Sequence, residues 1–483
     1  MILPLLLLLA LASPQQPPER DWGTTLRDDA QALHDDIAAN HPGPLNRLDP
    51  GFSRHNDAEL ATALRRARTA RRYADYFFAL REYVASFDDG HMSFGATGNT
   101  PNDFRWPGFA TDYDALGRIR VVTTSAAAPV PAGAALIGCD GRAADRYAAA
   151  TLGRMWGRWQ LQSQRRAFGR YLFLDEGSRY IPRARRCTFQ VDGRRRTIAL
   201  DWQPISPGAF FDQLKHGSTP DTRRFDARVL ANGTRWFTMP SFNGDARSDA
   251  GKALPPMIAA MRADRPALAA APAIVLDLRR NDGGSSDWSH EIAGILWGRA
   301  ALDRLPPEAN LVDWRASPAN LASIRQSYAA RGAAEGMPPE VKTWFEEVIA
   351  GLSTALARGD ALWRQHDTGG EAKSAAPEAA LPRLAGPVYL VTDSSCASAC
   401  LDAVDLWRAL GAVHVGRTTS ADTLYMDVRF RKLPSGLTAI NVPMKVYRDR
   451  ARGSNEPVVP MHLFAGDITD TPALEAWIAT LRD

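Results

Sequence analysis

The sequence predicts an α/β protein whose short buried strands run into helices, preceded by an all-helical segment and a hairpin-containing one. Three observations carry this. Two apolar runs, Ile274–Leu278 and Val388–Val391, have the length of buried strands, and each is followed by a turn and then by apolar residues at helical spacing. Near the N-terminus, Leu26, Ala30, Leu33 and Ile37 keep one face of a helix. Between these regions, Cys187–Val191 and Thr197–Leu200 flank Asp192-Gly193, a pair suited to a two-residue hairpin turn.

In chain order, residues 1–12 read as a signal peptide. Leu5 to Leu11 is its apolar region and Ala10-Leu11-Ala12 its cleavage site. The segment is too short to span a bilayer, and no cysteine follows it to carry a lipid. Export to the periplasm or beyond is expected. No later stretch offers about twenty uninterrupted apolar residues, so no integral membrane segment is expected after signal removal. Residues 13–100 form a helical cap. Leu60, Ala61 and Leu64, then Tyr76, Phe77, Leu80, Tyr83 and Val84, continue the helical period, which His41-Pro42-Gly43-Pro44 interrupts.

Residues 101–207 hold the hairpin, with Tyr147 to Phe173 reading as helical between its strand patterns. Residues 208–483 form the core. A helix around Ala253 to Arg262 leads to the Ile274 strand, which is followed by Trp288, Ile292, Ile295 and Leu296 at helical spacing. An insertion, about 299–382, is helical where it is clearest, Val341 to Ala357, and rich in Gly, Glu, Ala and Ser from Thr368 to Pro377. It reads either as a lid over a cleft or as a neutral surface insertion.

Composition narrows the function classes. Lys and Arg number 58 against 54 Asp and Glu, a balance that argues against nucleic acid or another acidic polymer. Arg194-Arg195-Arg196 reads as a solvated hairpin tip. No H-E-x-x-H and no Cys/His cluster appears, so neither metal nor other cofactor is expected. Four cysteines suit an exported protein. Cys139 could pair with Cys187, and Cys396 with Cys400; the alternative is four small buried fillers. The sequence carries no signal of oligomeric state.

The chemistry concentrates in two stretches. After the Val388 strand and a polar turn, Cys400, Ala403, Val404, Trp407 and Gly411 mark one helical face and its stop. Ser398 therefore sits at a helix N-terminus, where unpaired backbone N–H groups and a positive dipole would favour an oxyanion. Serine is also a preferred N-cap, so a purely capping role stays open. After the Ile274 strand, Gly283-Gly284 would let backbone approach a ligand closely and supply further N–H donors.

Together, Asp277-Leu278-Arg279-Arg280-Asn281-Asp282-Gly283-Gly284 and Ser398-Ala399-Cys400-Leu401 resemble the D-L-R-x-N-x-G-G and Ser-Ala-[Ser/Ala]-Glu motifs of the tail-specific (C-terminal processing) serine peptidases and their tricorn relatives. Leu401 stands where that family has Glu. Asp89-Gly90-His91-Met92-Ser93 resembles the Asp-x-His-Thr/Ser segment of the tricorn-like branch, with Gly90 in place of the usual Ser. The region that holds the family's alternative lysine base has none here, since no lysine lies between Ser398 and Lys432.

The resemblance implies a ClpP/crotonase-like spiral β/α core and a PDZ-like domain over residues 101–207, in which Pro131–Gly141 matches a strand-turn segment and a peptide tail could add to a sheet edge. It implies a serine peptidase acting on peptides or proteins. Ser398 would be the nucleophile, His91 its base and Glu456 the late acid that polarises the base, with Asp89 or Asp422 as alternatives. The N–H of Ala399, with Gly283 or Gly284, would form the oxyanion hole. A thiol nucleophile at Cys396 or Cys400 is a lesser alternative. Leu401 and Gly90 also leave room for a scaffold of the same fold that binds peptides or ligands without catalysis, as in interphotoreceptor retinoid-binding protein.

Overall fold

A computed structural model describes residues 20–98, 103–114, 116–215, 224–306, 311–332, 339–365, 381–448 and 450–482. The proposed signal peptide and the Thr368 to Pro377 stretch lie outside the described residues. No helix among those described is long and apolar enough to cross a membrane.

The core is a six-stranded sheet in the order Asp226–Val229, Arg235–Thr238, Ile274–Asp277, Val388–Thr392, Val413–Gly416, His462–Leu463. The first pair is antiparallel and the rest are parallel. Alternation of side chains along each strand divides the core in two. Ile274, Leu276, Val388 and Leu390 pack under the helices Asp249–Ala263, Asp287–Trp297 and Ala399–Ala409. Val275, Tyr389 and Val391 face the other way, against Leu474 and Ile478 of the helix Thr471–Ala479. Burial on both faces explains why the central strands read as mostly apolar runs without alternation. The α/β expectation holds.

The helical cap also holds, in three helices, Trp22–Asn40, Phe52–Ala67 and Tyr73–Ala85. Leu26, Ala30, Leu33 and Ile37 are fully buried. The second helix contains Leu60, Ala61 and Leu64 as their period implies; Phe52, Asn56, Ala63 and Ala67 are its buried residues, and Leu60 packs partly buried against the same core. That helix packs on the first and third, and Ala61 is exposed.

A second sheet joins the cap to the core. Ser93–Ala96, directly after His91, and Tyr425–Lys432, directly after Asp422, both pair with Thr438–Tyr447. The 299–382 insertion adds more than helices to this sheet. Its strands Val312–Arg315 and Leu362–Gln365 pair with one another, and the first extends along Thr438–Tyr447. Its helices Pro318–Gly332 and Pro339–Arg358 pack over Trp314 and Met444.

A third sheet, formed by strands between Phe109 and Ala199, is closed by a Cys139–Cys187 disulfide between directly opposed residues. Asp192 and Gly193 adopt φ of 46° and 75°, the left-handed pair that a tight hairpin turn requires. The stretch from Tyr147 to Phe173 is not one helix. It breaks at Gly157 and Arg158, with φ of 64° and 51°. Gly157 is needed there, because a Cβ would lie 2.5 Å from the Ala85 carbonyl oxygen.

Candidate active site

Val388–Thr392 is buried along its whole length and ends at Asp393. The Asp393 carboxylate accepts the Arg280 N–H at 3.0 Å and the Ser395 N–H at 2.9 Å. It therefore ties the turn leading to Ser398 to the turn after the Ile274 strand. Burial, only partly offset by those two N–H groups and Arg280, pushes its carboxyl up.

Ser398 precedes the helix Ala399–Ala409 but does not cap it. Its side chain makes no capping hydrogen bond, and its backbone takes φ 55° and ψ −129°. Such a conformation is uncommon for a side chain with Cβ and costs about 1–3 kcal/mol. The Ser398 N–H is held by the Asp422 carboxylate at 3.0 and 3.3 Å. Cys396 and Cys400 form a disulfide across the turn, so neither offers a free thiol.

The turn after the Ile274 strand is built to meet this serine. Asp277 binds the Arg279 guanidinium at 2.6–3.1 Å and the Trp236 indole N–H at 3.2 Å. Asn281 donates to the Met239 carbonyl at 2.8 Å and accepts the Gly283 N–H at 2.9 Å. At Gly283, φ 101°, a Cβ would lie 2.6 Å from the Ser398 Cβ. Of the three expected oxyanion donors, Gly283 is thus committed to Asn281. The N–H groups of Gly284 and Ala399 meet no acceptor among the described residues.

His91 follows Asp89 in the turn after the third cap helix. Asp89 Oδ1 accepts the His91 backbone N–H at 2.8 Å and the Thr423 hydroxyl at 2.9 Å, and lies 3.7 Å from His91 Nδ1. Burial opposes a charge on the His91 ring, but Asp89, joined by Asp422, outweighs it and holds the imidazole above its ordinary value; Arg158 acts against them. Asp422 thus touches the Ser398 backbone and also acts on His91. No hydrogen bond joins Ser398 Oγ to His91 among the described residues.

Glu456, the expected late acid, is exposed, and its carboxylate accepts the N–H of Gly453 at 3.2 Å. No hydrogen bond or ion pair joins it to His91 among the described residues; the carboxylate beside the ring is Asp89. Leu401, at the position of the family's Glu, is fully buried in the core. The space beside Gly90 is filled by Arg158, whose Nη1 lies 2.0 Å from where a Gly90 Cβ would stand.

Arg158 is the site residue that the sequence reading missed. Its backbone N–H donates to Asp88 at 2.6 Å, its Nε to Asn455 at 2.8 Å and its Nη2 to the Ala421 carbonyl. Asn455 in turn donates to the Asp88 carbonyl at 2.8 Å and to the Asp422 carbonyl at 2.7 Å. The one signal in the sequence was Gly157, a break inside an apparently helical stretch. Among the described residues, no group of three or more His, Cys, Asp or Glu is arranged to hold a metal ion.

No family model and no curated protein matches the sequence. Solved structures do match the fold. Mature CPAF superposes with a TM-score of 0.60 at 13% identity, over 95% of this chain and 97% of that one. Mature CPAF complexed with lactacystin gives 0.58 at 12%, over 95% and 98%. The likeness runs nearly end to end in both chains and establishes a shared fold.

Proposed function

We propose that the protein is an exported serine peptidase that hydrolyses peptide bonds of peptides or proteins, with Ser398 as nucleophile and His91 as general base. The observation that carries this reading is Ser398 itself. It adopts a costly backbone conformation at a helix N-terminus and does not use its hydroxyl to cap that helix. Gly283 packs against it as only a glycine can.

In the reaction, Ser398 Oγ attacks the scissile carbonyl while His91 takes its proton. Asp89 faces Nδ1, which leaves Nε2 to act as the base. The N–H groups of Ala399 and Gly284 receive the oxyanion, each such donor being worth about a hundred- to a thousandfold in turnover. His91 then returns the proton to the leaving amine, and water releases the acyl group by the same steps reversed. In resting enzymes the nucleophile–base hydrogen bond is commonly long and tightens only with substrate bound. Two disulfides support passage through an oxidising compartment, consistent with a signal peptide at residues 1–12.

The test is fluorophosphonate labelling of the mature protein with peptide mapping. Label is expected on Ser398, absent in Ser398→Ala and slowed about a hundred- to ten-thousandfold in His91→Ala. Folded protein that takes no label would favour the non-catalytic scaffold, a reading to which the unmade Ser398–His91 hydrogen bond gives weight.

A further inference from the structure

Behind Asp89 lies a second histidine that the proposed mechanism does not use. His41 ends the first cap helix, its backbone N–H donating to the Ile37 carbonyl at 3.0 Å. Its side chain is fully buried, stacked on Phe52 at 4.5 Å and meeting the edge of Tyr425 at 4.6 Å. The Gly43 N–H donates to His41 Nδ1 at 2.8 Å. That bond makes Nδ1 the acceptor, so in the neutral ring the proton sits on Nε2.

Nε2 lies 4.0 Å from Asp89 Oδ2. Both atoms are sealed from solvent, and neither has a hydrogen-bond partner. The Asp89 carboxylate is thus divided. Oδ1 serves the His91 side, where the backbone N–H and the Thr423 hydroxyl donate to it and the ring lies 3.7 Å away, and Oδ2 lies 4.0 Å from His41 Nε2. A buried carboxylate oxygen without a donor is costly, and the carboxylate relieves that cost by taking a proton or by turning away.

We infer that His41 is a positioning residue for the candidate base: its Nε2–H, 4.0 Å from Asp89 Oδ2, keeps that carboxylate ionised and directed at His91. The inference rests on the reading of His91 as base. Burial holds His41 itself far below its ordinary value, at about 4, so it remains a neutral donor while His91 titrates. The charged and titratable groups acting on the Asp89–His91 pair are His41 from the end of the first cap helix, Arg158 from the Gly157 break, Asp422 from the loop before the Tyr425–Lys432 strand, and Tyr425 at the start of that strand.

The test pairs two variants. In His41→Asn the shorter amide can still accept the Gly43 N–H but loses the donor toward Asp89. In His41→Gln the longer amide places a donor near the former Nε2. The His91 ring is followed by NMR of histidine-labelled protein across pH, beside fluorophosphonate labelling of Ser398. With Asp89 released, the Asn variant should show the His91 midpoint moved to lower pH and labelling slowed about tenfold. The Gln variant should stay near the parent on both.

An unchanged or raised midpoint in the Asn variant, or equal displacement in both, overturns the inference. A measurement on the parent needs no variant to fold. The His41 ring should be Nε2-protonated, and its Nε2 resonance should move as His91 titrates; an Nδ1-protonated ring, or a silent one, also overturns it. A parent protein whose Ser398 takes no label would count against the peptidase reading alone, since both NMR titrations still decide the role of His41.

Discussion

At Gly283 a hydrogen is all that the neighbouring nucleophile turn tolerates. Besides the Ser398 Cβ, an added methyl would stand 2.7 Å from the Ala397 carbonyl oxygen, with φ 101° adding backbone cost. Gly283→Ala is therefore expected to lower stability by about 1–3 kcal/mol in urea titration. It should also slow Ser398 labelling at least about a hundredfold, because the whole strain is delivered to the serine. Stability loss without slower labelling would show that the turn can yield away from Ser398. Asn281 and Asp277 explain the neighbouring motif positions in the same terms: each satisfies a specific buried partner, Asn281 the Met239 carbonyl and the Gly283 N–H, Asp277 the Arg279 guanidinium.

The two disulfides act on elements of very different span, and their removal should read differently. Cys139 and Cys187 are 48 residues apart and bridge two paired strands, whereas Cys396 and Cys400 are four apart and bridge one turn. In the chain-entropy picture the longer loop contributes about 4 kcal/mol and the short one about 2 kcal/mol. Replacing the first pair by serine should chiefly lower the urea midpoint. Replacing Cys396 and Cys400 by alanine should chiefly slow labelling, since the bridge spans the turn that holds Ser398 in its left-handed conformation. Equal effects of both replacements on labelling would remove the special role of the short bridge. The helix that follows is stopped where its sequence says, with Gly411 at φ 96°.

Across the whole molecule, three separate regions meet at the base. The cap supplies Asp88, Asp89 and His91, the segment between strands of the third sheet supplies Arg158, and the core supplies Asp422 and Asn455. Their charges act on His91 with opposite signs, which predicts opposite pH responses. The base works when neutral, so labelling should switch on as pH rises through the raised value of His91. Asp89→Asn removes the main group that raises it and should move the midpoint of the labelling rate to lower pH. Arg158→Ala removes the opposing charge and should move it to higher pH. Midpoints that shift together, or not at all, would mean that these charges are not what sets the base.

The strands, the helices that follow them, the cap helices and the Asp192-Gly193 hairpin were legible in the sequence because each depends on local period or turn chemistry. Ser398 and the Gly283-Gly284 turn were legible as a pair for the same reason: each lies directly after an apolar strand, and parallel pairing of those strands brings their C-terminal turns together. The partners of the base were legible only in part. Asp89, two residues away, and Asp422 stood among the sequence's alternatives, and it is Asp89 and not Glu456 that lies beside His91; Arg158 enters from a break between helices, and His41 arrives from the end of the first cap helix. The positions of Arg158 and His41 depend on how cap, sheet and core pack against one another, over separations of tens of residues that no local pattern encodes. The sequence alone determined which groups could do the chemistry; only tertiary packing decided which buried charges face them.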